Sequence, residues 1–201
     1  MALKLLRTIR LDPSDSFVFE RAAKAGEWAV PGAFEFWSAD AATLKGRERQ
    51  AFRAGFLGLG SFGWSTLVVA QPATAEERAA AVESLAAYLV QAHGAPDLAA
   101  ARAAAEEEVA CAASLAEHPE GTLIAMHRTH DKDGQIREQF RTLRPADARQ
   151  AAQMPCSAGA FAIVEDEAAH ALQSVHEGMS EQERQAADLF ALVAPAEVRR
   201  P

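Results

Sequence analysis

The sequence has little cysteine and no excess of positive charge, and each shortage excludes a class of protein. Among its 201 residues the cysteines are Cys111 and Cys156, too few for a disulfide scaffold and without metal-ligand spacing. The formal net charge of −8 opposes long-range attraction to nucleic acid or to anionic lipid. We therefore expect a protein of the reducing cytoplasm whose partner is neither a nucleic acid nor a membrane.

Long apolar runs are also missing. No stretch approaches the roughly 20 apolar residues of a transmembrane helix. The opening "MALKLLRTIRLDPSD" is interrupted by Lys4, Arg7 and Arg10, so it lacks the apolar core of about 7 to 15 residues that a signal peptide needs. Because 49% of the residues are hydrophobic, the chain can nevertheless bury a core of its own.

Signatures of catalytic and metal sites are absent too. There is no H-E-x-x-H and no G-x-S-x-G motif. In "MHRTH", His127 and His130 are three apart, and on a strand an odd separation sends side chains to opposite faces, which argues against a shared metal. Cys111 fits a small core residue, Cys156 is the better candidate for an exposed thiol, and the run Glu106 to Glu108 is typical of a solvated helix surface. We expect no catalytic residue, metal or cofactor.

One stretch does match a cofactor motif. "GLGSFG", residues 58 to 63, spells the G-x-G-x-x-G dinucleotide fingerprint, which works when it follows a strand and opens a helix. Here the glycines follow a predicted helix and lead into a strand, so the negative helix end would face them. Glu83, about 20 residues on, falls inside a predicted helix rather than at a strand end. We interpret the stretch as a tight helix-to-strand connection that orients Trp64, and expect no NAD.

The pattern of the first 71 residues predicts two or three strands, then one helix, then a further strand. Residues 3 to 37 carry apolar side chains at period two around the turn signals "DPSD" and "VPG", which predicts two or three antiparallel strands. The alternating residues are Leu5, Ile9, Leu11, Phe17, Phe19, Phe34 and Phe36. From Leu44, the spacing of Phe52, Phe56 and Leu59 predicts an amphipathic helix. "STLVVAQ", 65 to 71, is short and β-branched and predicts a central strand.

Two long helices follow. Thr74 and Glu77 form a capping box and Gly94 suits a left-handed C-cap, which predicts a helix over 74–93. The second, over 97–117, has a stripe of small and apolar residues, namely Leu98, Ala101, Ala105, Val109 and Ala112.

Residues 122 to 144 predict a β-hairpin with a definite register. If Lys132, Asp133 and Gly134 form a three-residue loop with Gly134 left-handed, then Asp131 pairs with Gln135. One face then carries Ile124, Met126, Ile136 and Phe140. The opposite face carries His127, Thr129, Arg137, Gln139 and Arg141, and Arg128 falls opposite Glu138 as a cross-strand ion pair.

This hairpin provides the candidate binding surface. His127, Arg137, Arg141 and also Arg144 form a basic group in an acidic protein, and arginine binds carboxylates and phosphates in a bidentate manner. The group could therefore bind an acidic partner segment or a small anion. The alternative is an ordinary solvated face of an antiparallel sheet.

After Pro145 the composition changes. Residues 145 to 159 are rich in Ala, Gln, Pro and Gly and suggest a linker. Helical spacing then predicts short helices near 164–177 and from Ser180. The predicted organisation is a core domain over 1–145 and a linker with a helical C-terminal appendage over 146–201.

Three segments carry a resemblance to a known family. "LRTIRLDPSDSFVFERAAKAGEWAVPGAFEFW", "FRAGFLGLGSFGWSTLV" and "REQFRTLRP" resemble an uncharacterised family of small alphaproteobacterial proteins of unknown function, over roughly residues 1 to 145. The family has no established activity, so the resemblance implies no catalytic residue here. Its members accompany genes for redox-enzyme maturation, which implies an accessory role.

Together these observations predict an α+β fold. We expect a mostly antiparallel sheet of five or six strands with the helices 74–93 and 97–117 on one face. The function expected is that of a non-catalytic accessory protein that binds another protein of unknown identity, in an oligomeric state that the sequence leaves open. The rival is a small enzyme or ligand-binding domain with a pocket between the sheet and residues 58–64.

Overall fold

The computed structural model describes residues 2–39, 43–132, 134–145 and 161–165. Within them, eight antiparallel strands form one sheet in the order β4-β3-β2-β1-β5-β6-β7-β8. The strands are β1 (Lys4–Ile9), β2 (Trp28–Val30), β3 (Phe56–Gly58), β4 (Trp64–Ser65), β5 (Leu67–Pro72), β6 (Leu123–His130), β7 (Ile136–Pro145) and β8 (Phe161–Glu165). The helices are α1 (Asp15–Val18), α2 (Gly46–Ala54), α3 (Ala75–His93) and α4 (Leu98–Leu115), with a 3₁₀ helix at Ala33–Phe36.

The α+β class is confirmed. The predicted five or six strands are too few because β3, β4 and β8 were not expected.

The N-terminal region contains fewer strands than its alternation predicts. Residues 15 to 18 form α1, so the strand predicted through Phe17 and Phe19 is wrong. The turn signal explains the difference, since Asp12 Oδ1 accepts a hydrogen bond from the backbone N–H of Ser14 at 2.8 Å, a local turn that starts the helix. Phe19 is buried, whereas Phe17 is 70% exposed.

The second phenylalanine pair also lies outside a strand. Phe34 and Phe36 belong to the 3₁₀ helix, and both are buried. Gly32, just before it, has a left-handed φ of 77°, a conformation that glycine adopts without steric cost. The strand predicted there is wrong, because this turn breaks the extended chain after β2.

The predicted helix through Phe52, Phe56 and Leu59 ends early. α2 stops at Ala54, and Phe56 begins β3, which pairs with β4. All three apolar residues are buried, so helical spacing could not show that two of them belong to a hairpin. Residues 58 to 63 therefore connect two antiparallel strands, and the predicted helix-to-strand connection is wrong.

Trp64 packs against Gly55, the residue that follows α2. A Cβ atom at Gly55 would lie 2.7 Å from Cε3 of Trp64, and one at Gly32 would lie 3.3 Å from Cζ3. The indole also packs on Phe36, with ring centroids 5.2 Å apart. Glycine at these two positions therefore leaves room for the indole ring, and Trp64 packs into the core where α2 ends.

The two long helices are confirmed. Glu77 N–H donates to Thr74 Oγ1 at 3.1 Å, Thr74 N–H donates to Glu77 Oε2 at 2.9 Å, and Gly94 ends α3 in a left-handed conformation. α4 packs on β1 and β2, and α3 packs along α4. The predicted stripe of α4 is buried except for Leu98, which is 48% exposed.

The hairpin of β6 and β7 has the predicted register. Gly134 has a φ of 79°, and Asp131 N–H donates to the carbonyl of Gln135 at 2.9 Å. Arg128 lies opposite Glu138, and Met126 opposite Phe140. The face that carries Met126 is the one turned towards the core.

β8 was not predicted. It pairs with β7 from Arg141 opposite Glu165 to Pro145 opposite Phe161, so a strand of the sheet comes from the predicted C-terminal appendage. The helix expected near 164–177 is wrong at residues 164 and 165, and its remainder lies outside the described residues, as do the helix from Ser180, the linker before residue 161 and Cys156.

Candidate functional site

The outer face of the β6–β7 hairpin brings most of the predicted site residues together. His127 lies opposite Gln139, Thr129 opposite Arg137, and Ala125 opposite Arg141. We call this set of six residues the hairpin face. Thr129, Arg137, Gln139 and Arg141 are exposed, and His127 and Ala125 are partly buried. The hairpin face is thus a mainly polar, partly exposed surface that carries Arg137 and Arg141 on β7.

The charges of the hairpin face are partly engaged. Arg137 Nε donates to Asp131 Oδ2 at 3.0 Å, and the Arg137 side chain is 51% exposed, so this ion pair contributes at most about 1 kcal/mol to stability. Such a weak pair can exchange one carboxylate for another at little cost. Arg144 lies opposite Ala162 in the backbone register. It is an odd number of residues from Arg137 and Arg141, so strand alternation does not group it with them, and its side chain lies outside the described residues.

Arg128, predicted as a cross-strand ion pair, is a buried hub. Arg128 is 0% exposed. Nε donates to Glu138 Oε1 at 2.8 Å, Nη1 to the carbonyl of Phe52 at 2.8 Å and Nη2 to the carbonyl of Pro31 at 2.7 Å. The guanidinium also lies over the ring of Phe36, 5.6 Å from its centroid. One side chain thereby joins β6, β7, the end of α2 and the segment after β2.

Glu108 lies beside this hub and is partly buried, so its predicted solvated position is wrong. Glu106 and Glu107 are exposed, but Glu108 Oε1 accepts the N–H of Gly32 at 2.7 Å. The pKa of the Glu108 carboxyl is raised to about 7, chiefly by burial; the Gly32 N–H and Arg128 act to lower it, and nearby Glu138 acts to raise it. The residue lies on the inner side of α4, one position before the buried Val109.

Cys111 follows one turn later on α4. Burial raises the pKa of its thiol to about 12, with Glu108 and Glu138 adding to the shift. The thiol is therefore protonated and a poor nucleophile at neutral pH. This geometry agrees with the interpretation of Cys111 as a packing residue.

The glycine motif binds a carboxylate of the protein itself, that of Glu27. Glu27 Oε2 accepts hydrogen bonds from Gly60 N–H at 3.1 Å, from Ser61 N–H at 2.9 Å and from Ser61 Oγ at 2.9 Å. Successive backbone N–H groups of this kind form an anion-binding concavity. No local pattern in the sequence links Glu27 to residues 60 and 61, which is why sequence reasoning missed the contact.

The rival interpretation requires a pocket beside this loop. The described residues do form a groove of about 250 Å³ there, below the roughly 300 Å³ at which small-molecule sites begin. Its surface is mainly apolar, and its polar groups are engaged, because Glu27 binds the glycine loop and Ser84 Oγ donates to the carbonyl of Leu59 at 2.8 Å. The groove thus lacks convergent, available catalytic groups. Its lining residues are Gly26, Glu27, Trp28, Leu59, Gly60, Ala80, Ala81 and Ser84.

The histidines among the described residues do not converge. His127 lies on the hairpin face, whereas His130 stacks on Phe52 with ring centroids 4.5 Å apart, so the two rings lie on opposite sides of β6, as predicted. His93 ends α3 and its Nε2 lies 3.2 Å from Glu35 Oε1. Within the described residues, no three His, Cys, Asp or Glu side chains come close enough together to hold a metal ion.

Comparison with known proteins places the chain in a family. A model described as a family of unknown function (DUF6505) matches residues 1–158. The chain belongs to this family. No curated protein and no solved structure matches it. The resemblance to an uncharacterised family is thus confirmed, and the match extends past residue 145.

The function of this family is unknown, so membership assigns no activity to the chain. In the part of this DUF6505 chain that the structure describes, no helix combines the length and the apolar character needed to cross a bilayer.

Proposed function

We propose that this DUF6505 protein is a non-catalytic accessory protein that binds another protein through the hairpin face. The observation that carries the proposal is the joint exposure of Arg137 and Arg141 on one face of an antiparallel pair, with Gln139 between them and His127 opposite Gln139. The other face of the same hairpin packs on the core through Met126 and Phe140. The hairpin is therefore a rigid support for a polar outer surface.

The chemistry of this surface favours an acidic partner. Arg137 and Arg141 are exposed and lie four residues apart on the same face of one strand, and the guanidinium group of arginine suits the carboxylates of an acidic segment. Because the chain as a whole carries a net charge of −8, an acidic partner would be repelled elsewhere and drawn to this face. The proposal includes a cytoplasmic setting, and the resemblance favours a role beside redox-enzyme maturation.

The Arg137–Asp131 ion pair has a place in this proposal. Asp131 also accepts the N–H of Gln135 through Oδ1 at 2.9 Å, so its carboxylate is tied to the turn. It holds the Arg137 guanidinium at the end of the hairpin without burying it. A partner carboxylate can share that guanidinium, since exposed ion pairs hold their side chains only weakly.

The test is a quantitative pull-down from the native host with three proteins. These are the wild type, Arg137→Glu/Arg141→Glu, and the matched control Arg47→Glu/Arg53→Glu, which reverses two exposed charges on α2. We expect the hairpin variant to lose about tenfold or more of a partner that wild type and control retain. Circular dichroism and thermal unfolding check that all three proteins are folded. Recovery of the same partners at the same level by the hairpin variant would contradict the proposal.

A further inference from the structure

The glycine loop between β3 and β4 is built around a carboxylate. Three donors converge on Glu27 Oε2, namely the N–H of Gly60, the N–H of Ser61 and the hydroxyl of Ser61. The other oxygen, Oε1, accepts the N–H of Lys24 at 3.2 Å. Glu27 is partly buried, so its charge is matched mainly by these donors.

The glycines of the motif make room for that carboxylate. A Cβ atom at Gly58 would lie 2.6 Å from Glu27 Oε2, and one at Gly60 would lie 3.1 Å from Glu27 Cδ. Gly63 has a separate role, because a Cβ there would lie 2.6 Å from the backbone carbonyl carbon of Ala22. Gly58 and Gly60 thus leave space for the carboxylate of Glu27, and Gly63 leaves space for the backbone of Ala22.

We propose that residues 60 and 61 form an oxyanion-binding loop whose anion is supplied by Glu27. While that carboxylate is in place, it excludes free anionic ligands from the loop. When it is absent, the same donors bind a small carboxylate or phosphate. The adjoining groove provides access, since Glu27 and Gly60 form part of its lining.

The geometry limits the size of such a ligand. Truncation of Glu27 to alanine removes the Cγ methylene and the carboxylate, which leaves space for an anion of about the size of acetate. Inorganic phosphate has the same oxygen chemistry but is bulkier and more highly charged. Comparison of acetate with phosphate therefore distinguishes a carboxylate site from a general oxyanion site.

The test is anion rescue of Glu27→Ala. Thermal unfolding is measured against increasing sodium acetate or phosphate, with sodium chloride used to keep the ionic strength constant. We expect Glu27→Ala to melt below the wild type and to regain stability saturably with acetate, phosphate or both, as a ligand that binds only the folded state requires. The wild type and Glu27→Gln, whose side chain still fills the site, should show no saturable response. Glu48→Ala, which truncates an exposed glutamate on α2, is the matched control.

A second variant tests the donors. Adding Ser61→Ala to Glu27→Ala removes one hydrogen bond to a charged ligand, so the anion should bind roughly tenfold more weakly. If Glu27→Ala does not fold in chloride, its refolding yield in acetate or phosphate against chloride provides the same comparison. The proposal is overturned if neither oxyanion stabilises Glu27→Ala more than it stabilises Glu27→Gln and the wild type.

Discussion

Arg128 of β6 lies directly opposite Glu138 of β7, with Nε 2.8 Å from Oε1, and its guanidinium is completely enclosed by protein. The pair connects the hairpin, whose outer face is the proposed binding surface, to α2 and to the segment after β2. Removing a buried charge from such a pair leaves its partners without hydrogen bonds. The stability of the hairpin's support therefore depends on this one side chain.

The first prediction concerns that hub. Arg128→Met should lower the free energy of unfolding by about 3 to 5 kcal/mol, because Glu138 and the carbonyls of Phe52 and Pro31 lose their donor. Arg137→Met, which removes the exposed pair with Asp131, should cost less than about 1 kcal/mol. Urea denaturation of both variants measures the difference. Equal losses would show that Arg128 is not a buried hub.

The second prediction concerns the pH dependence of stability. The folded-state pKa of Glu108 is raised from 4.5 to about 7, so the folded state holds this proton more tightly than the unfolded state. The resulting stabilisation is complete below about pH 4.5 and is lost as pH rises through about 7. Glu108→Gln cannot titrate, and it should therefore gain stability relative to the wild type between pH 5 and pH 8.

The expected gain is on the order of 2 kcal/mol. Urea denaturation at several pH values provides the measurement, and Glu107→Gln, an exposed neighbour on the same helix, is the control that should show no such trend. A wild type and a Glu108→Gln variant whose stabilities change in parallel with pH would contradict the buried position of this carboxyl.

The third prediction separates the observed N-terminal fold from the strand that the sequence suggests. On a strand, Phe17 and Phe19 would share a face and respond alike to substitution. In the structure Phe19 is 1% exposed and Phe17 is 70% exposed. Phe19→Ala should therefore cost about 3 to 5 kcal/mol, and Phe17→Ala should stay within about 0.5 kcal/mol of the wild type. Chemical denaturation of the two variants decides between the descriptions.

The fourth prediction concerns NAD. The donors at residues 60 and 61 are occupied by Glu27, and the loop joins two strands rather than a strand and a helix. We expect no saturable binding of NAD or NADH in isothermal titration calorimetry. Saturable binding that is lost in Gly60→Val would overturn both the prediction and the assignment of the loop to Glu27.

Sequence reasoning succeeded where neighbours along the chain decide the structure. The caps of α3 and the register of the β6–β7 hairpin follow from a few adjacent side chains and from a left-handed glycine. The same register places Arg128 on the side of β6 that carries Met126, which is a signal for its burial. The contacts of Arg128 with the carbonyls of Phe52 and Pro31 are not visible in the sequence, because these residues are far from it along the chain.

Prediction from the sequence is wrong where two conformations bury the same residues. Phe52, Phe56 and Leu59 suit one side of a helix, and they are buried equally well by a short helix followed by a hairpin. The glycine fingerprint does not identify its ligand for a related reason. The G-x-G-x-x-G pattern indicates space for an anion, but it does not show that the anion is the carboxylate of Glu27.

The sequence by itself determined the α+β class, the two long helices, the hairpin register and the outward position of Arg137 and Arg141, because local hydrogen bonding and side-chain alternation control those features. Only the tertiary structure decided that Glu108 lies beside the buried Arg128 and that Glu27 occupies the glycine loop. Those contacts join residues far apart along the chain, and their energies depend on a burial that exists only after the sheet and helices have packed.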